Sequence, residues 1–287
     1  MQFSLIIFEI LMAALFIICI LHARRRGKQY VIELVVAVIY GVLLEVLTMI
    51  QFRYYTYGDF LIKIFDAPLA IGFGWAAIIY TAMVTVDKLD TAQKTRPFMA
   101  ALLALNIDLS MDAIAIREGF WTWGENGMWF GVPLGNFFAW FIVVFGFSYF
   151  IYKLRYVREF RNFYPFLSMV LSLVVLIVLD SIWVYYLTQP VHIVILIGML
   201  FFSTCYIYLN KGSFKKDNKF DWMNFSVPLV FHSFFLTLLL IREYRIVPLV
   251  LISSLMLITG LYVHLLPSFN AMRDRIRLDR IQLRAIR

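Results

Sequence analysis

Stretches of about 20 apolar residues recur along this chain, near 3–21, 31–50, 67–86, 97–116, 134–152, 164–187, 190–209, 225–241 and 246–265. A helix rises about 1.5 Å per residue, so each run is long enough to cross the hydrocarbon layer of a bilayer. In that layer the backbone amides must be satisfied internally, which makes an α-helical bundle the expected fold. The reading is all-α, a polytopic transmembrane bundle of nine helices, or eight without the stretch at 225–241. Composition agrees: 62% of the 287 residues are hydrophobic and 15% charged, too few polar groups to clothe a water-soluble domain.

A net charge of +8 would point to nucleic acid in a soluble protein, but here the placement of the charges decides. Of the 26 lysines and arginines, 21 fall in alternate loops and the C-terminal tail, and only Arg53, Lys63, Arg117, Arg242 and Arg245 fall in the opposite loops. Basic residues gather on the cytoplasmic side, so the expected topology has the N-terminus outside and the C-terminus inside. Nucleic acid is not implied. The cluster Arg24, Arg25 and Arg26 follows the first apolar run instead of preceding it, so that run is expected to be a retained helix and not a secretory signal. Cys19 and Cys205 both sit in apolar runs, have no metal-ligand spacing, and are read as packing residues.

No internal repeat or long linker divides the chain. One transmembrane domain is expected over 1–267, followed by a basic amphipathic cytoplasmic tail over 268–287, where leucines and isoleucines alternate with six arginines. That tail reads either as an interfacial helix on anionic lipid or as a soluble basic end.

The polar exceptions inside the apolar runs carry the functional information. Asp108 and Asp112 are four residues apart, on one face of the fourth helix. An intramembrane carboxylate costs roughly 2.5–3.5 kcal/mol at mid-helix on insertion scales, so two together point to a polar pocket or a reaction. By helix rise Asp108 lies roughly 17 Å from the start of its span, and Glu45, Asp180, Trp183, Asn136, Trp140 and Asp66 fall toward the same membrane face. Glu33, His232 and His264 fall toward the other, and the two histidines are read as hydrogen-bonded packing residues. Two loops on the first face are aromatic, with Tyr54, Tyr55 and Tyr57 in one and Phe120, Trp121, Trp123, Trp129 and Phe130 in the next. They form either an interfacial belt or, given the glycines at 119 and 124, a cap over a cavity.

These residues carry a resemblance. Asp108-Leu-Ser-Met-Asp112, Glu118-Gly-Phe-Trp-Thr-Trp123, Trp129-Phe-Gly-Val-Pro133 and Asn136-Phe-Phe-Ala-Trp140 resemble the central signature of the integral-membrane carotenoid biosynthesis protein family. That family includes hydratases acting on gamma-carotene and bisanhydrobacterioruberin. Glu45, Tyr55-Thr-Tyr57, and Pro68 leading to Trp75 are similar to its second and third helices. Ala113, Ala139 and Gly72 stand where the family pattern has proline, glycine and proline, and the carboxylates are untouched.

The resemblance implies addition of water to the terminal double bond of a linear carotenoid, giving a tertiary alcohol with no cofactor and no metal. Protonating an alkene needs a well-placed acid, and a carboxylic acid removed from water favours its neutral form. Asp108 or Asp112 is the expected donor, with Glu118, Glu45 or Asn136 near the water. Tyr55, Tyr57, Trp121 and Trp123 would face the carbocation, and Asn136 and Trp140 would complete the substrate site. Expected partners are a carotenoid drawn from the bilayer, water and other enzymes of carotenoid synthesis, in the cell membrane of a prokaryote. Alternatives are a membrane prenyltransferase binding magnesium diphosphate through Asp108/Asp112 and Asp217/Asp221, a proton-coupled transporter, and a non-catalytic subunit.

Overall fold

The computed structural model describes residues 3–53, 55–89, 91–124, 126–210, 220–242, 244 and 246–285, with side chains as far as residue 266. Among the described residues there are nine helices long and apolar enough to cross a membrane. They are α1 (Phe3–Arg26), α2 (Lys28–Phe52), α3 (Leu69–Asp87), α4 (Arg96–Ala115), α5 (Leu134–Leu154), α6 (Tyr164–Tyr186), α7 (Gln189–Leu209), α8 (Trp222–Ile241) and α9 (Val247–Ala285). The chain is a multi-pass membrane-type helix bundle, and every apolar run of the sequence has become a helix, all but the last within a few residues of its expected bounds. α9 continues without a break well past 265, and the charged side chains of the proposed tail over 268–287 lie outside the described residues.

α3 is buried along most of its length and forms the centre, packed by α1, α2, α4 and α8. Its alanines and glycines explain this position, because small side chains let neighbouring helices approach when the surrounding solvent is itself apolar. α7 packs mainly on α4 and α5 and turns most of its surface outward.

One end of the bundle is tied by ion pairs. Arg155 meets Glu33 through two bonds of 2.9 and 2.7 Å, and Tyr164 donates to the same carboxylate. Asp87 takes Arg26 at 3.0 Å and Arg96 at 3.3 Å. Asp221 lies 2.5 Å from Lys88 and 3.1 Å from His22. Burial works against the Asp221 charge, but the His22 and Lys88 hydrogen bonds outweigh it and hold this carboxyl below the usual range.

The other end carries four short strands in the loops, an element that helical periodicity did not reveal. β1 (Tyr55–Tyr57) pairs antiparallel with β4 (Trp121–Trp123), and β2 (Lys63–Ile64) with β3 (Ala67–Pro68). Gly119, at φ 67°, reverses the chain after α4, and a side chain at Gly58 would strike the Gly119 carbonyl at 2.5 Å. Only glycine tolerates both demands, and together they bring the two loops into register.

Candidate active site

Asp108 and Asp112 lie one helical turn apart on the buried face of α4, with 0% and 2% of their surfaces exposed. α5 starts after Pro133, a residue whose fixed φ suits a helix start, and its first turn presents Asn136 to the pair. The Asn136 amide nitrogen lies 3.2 and 3.1 Å from the two Asp108 oxygens.

Glu45, on α2, has a different setting. It accepts the Trp75 indole N–H at 2.8 Å and the Tyr55 hydroxyl at 2.6 Å. The Tyr55 oxygen also lies 2.6 Å from Thr48 Oγ1. Burial, and after it the nearby Glu45 charge, pushes the Tyr55 and Tyr57 phenols well above their ordinary range, so they remain donors. Gly41 makes the Trp75 bond feasible. A Cβ there would meet Trp75 Cβ at 2.7 Å, so the glycine lets α3 come close enough for its indole to reach across.

Above these carboxyls the paired strands form an aromatic roof. Tyr55 stands opposite Trp123 and Tyr57 opposite Trp121, with ring centroids 4.9 and 6.0 Å apart. Residues two apart in a strand share a face, so all four rings turn the same way while Thr56 and Thr122 bond each other on the exposed side at 3.0 Å.

Roof and helices enclose a cavity of about 550 Å³. Asp112, Glu45, Asn136, Trp140 and the four roof rings Tyr55, Tyr57, Trp121 and Trp123 line it. Asp108 is not part of the wall and sits behind Asp112. Trp75 and Trp140, 4.2 Å apart at their centroids, form one side, and Phe8 and Phe231 extend the cavity toward α1 and α8. Ala139, where the resemblance leads one to expect glycine, also lines it, so its methyl group takes up cavity space.

Glu118 lies apart from the site expected for it. Its carboxylate accepts Ser4 Oγ at 2.9 Å and the Tyr244 hydroxyl at 2.7 Å, with Arg242 Nε at 3.3 Å, and it does not line the cavity. It clamps α1, the end of α8 and the loop beyond. Asp66 is exposed in the β2–β3 turn and takes no part in the cavity. At the opposite end Asp221 is engaged by Lys88 and His22, while Asp217 lies outside the described residues. Asp221 therefore does not converge with Asp108 and Asp112 on this cavity. His232 meets Asn106 Oδ1 at 3.0 Å and His264 meets Thr85 Oγ1 at 2.6 Å, both as buried packing groups.

The sequence set Asp180 and Trp183 at the level of this site but gave the α6–α7 side of the cavity no role. Asp180 lines it beside Trp183, whose indole is stacked between Phe138 at 4.4 Å and His192 at 4.1 Å. An acid in an otherwise apolar span was the available signal.

A family model described as carotenoid biosynthesis protein matches residues 1–204. No curated protein and no solved structure matches this chain.

Proposed function

The chain belongs to the carotenoid biosynthesis protein family, and from that membership we propose that it adds water across the terminal double bond of a linear carotenoid. The observation that carries the reading is the joining, in one mostly apolar cavity, of a carboxyl pair, a separately held carboxylate and an aromatic roof.

The two carboxyl settings divide the chemistry between them. Two carboxyl groups one helical turn apart and withdrawn from water do not readily carry two charges, so the aspartate pair is the proton store. Asp112 is the member that lines the cavity and is the donor. Asp108, fixed by Asn136, positions and resupplies it. Proton transfer to the less substituted alkene carbon leaves a tertiary cation beneath Tyr55, Tyr57, Trp121 and Trp123, whose ring faces attract it. Glu45, with two donors already on its oxygens, is suited to remain a fixed negative charge beside that cation. Capture by water and loss of a proton give the tertiary alcohol. The hydrocarbon enters from the bilayer of the cell membrane, with the roofed end of the bundle facing outward.

Expression in a host that accumulates a linear carotene tests this. The expected product is more polar, heavier by one water, and takes its oxygen from labelled water and none from dioxygen. An unchanged pigment profile would overturn the reading.

A further inference from the structure

Two polar groups in the cavity are not used by the hydration scheme above. The Asp180 side chain is 6% exposed, lines the cavity and accepts no hydrogen bond from any described residue. The Trp123 indole nitrogen is buried, belongs to a ring that lines the same cavity, and has no acceptor. Tyr55 lines the cavity with them and packs on Trp123, the ring centroids 4.9 Å apart. Buried polar groups are nearly always hydrogen-bonded, so an unmatched acceptor and an unmatched donor on one cavity mark a place for a ligand that offers both functions. Water does so, and so does a tertiary alcohol.

We propose that Asp180 and the Trp123 N–H form the water subsite, with Asp180 as the base. The inference rests on the hydration reading and extends it. Asp112 loses its proton as a C–H bond forms on the alkene. A water held by Asp180 and Trp123 then gives its oxygen lone pair to the tertiary cation as the C–O bond forms. One of its O–H bonds breaks, the proton passes to Asp180, and it returns through cavity water to the aspartate pair. One water has been consumed and nothing oxidised. Glu45 is the poorer base, because its two oxygens already accept from Trp75 and Tyr55.

The subsite makes a forecast that a structural role for Asp180 does not. Without placed water the cation still forms but can only lose a proton again. In membranes containing the full chain, a linear carotene and heavy water, Asp180→Leu should lower alcohol formation by about 100-fold or more. The recovered hydrocarbon should meanwhile go on gaining deuterium at its end group. Trp123→Phe, which deletes only the donor, should lower alcohol formation by about 10-fold with the same persistence of exchange. If Asp180→Leu does not accumulate in the membrane, Asp180→Asn keeps the shape and decides by the same ratio of exchange to alcohol. Exchange and alcohol falling together, or both staying at the original level, would overturn the proposal. An original chain that makes no alcohol at all would overturn the hydration reading itself, and this inference with it.

Discussion

Trp75 on α3 donates its indole N–H to Glu45 on α2 at 2.8 Å, across a helix contact that Gly41 keeps close. Removing one donor from a buried charged acceptor costs about 1.5–3 kcal/mol, or roughly 10- to 100-fold in an equilibrium or rate. Trp75→Phe should therefore slow alcohol formation by about that factor while the protein stays inserted. Turnover per inserted molecule is the measurement, and an unchanged rate would remove Glu45 from the mechanism.

Asp112→Asn should abolish hydration, because the group that lines the cavity loses its proton. Asp108→Asn should also cripple the reaction, since Asn136 and Asp112 would both face an amide in place of an acid. Pigment extraction after equal expression distinguishes these outcomes, and full activity in both variants would mean that the acid lies elsewhere.

Tyr55 and Tyr57 predict a pH profile. Their hydroxyls are held well above the ordinary phenol value, by burial first and then by the Glu45 charge. Rising pH should not strip the donors from Glu45 within the usual phenol range near about 10, so the rate should show no fall there. Tyr55→Phe should lower the rate at every pH by about 10-fold, which a rate-against-pH series would reveal.

Glu118 offers the opposite test. Because it clamps Ser4, Tyr244 and Arg242 outside the cavity, Glu118→Gln should lower the unfolding midpoint yet leave turnover per folded molecule nearly unchanged. A large loss of turnover at full stability would return this residue to the chemistry.

At the far end, Arg155→Leu should strand the buried Glu33 carboxylate. Removing one partner of a buried ion pair typically costs about 3–5 kcal/mol. Denaturation in detergent should show that loss, with the carotene chemistry of the surviving folded fraction intact.

The helices were legible in the sequence because a bilayer imposes length and polarity on each span independently of its neighbours. Asp108, Asp112, Glu45 and the aromatic loops were legible for the related reason that acids and paired rings are conspicuous against such a background. The strand pairing was less so, although Tyr55-Thr-Tyr57 and Trp121-Thr-Trp123 share an aromatic-threonine-aromatic alternation that matches a strand's two-residue period. Glu118 was misplaced because proximity in sequence to the aspartates says nothing about which way the chain turns after α4, and Gly119 turns it toward α1 and α8. Asp180 was noticed for its depth but not joined to the site, since only tertiary packing sets α6 against α2.

Phe231, the α8 contribution to the cavity wall, lies beyond the stretch matched by the family. A change of side chain there reshapes the floor of the chamber while proton donor and roof stay as they are. On the proposed reading, a longer or bulkier hydrocarbon would be accommodated by altering a helix that carries none of the acids.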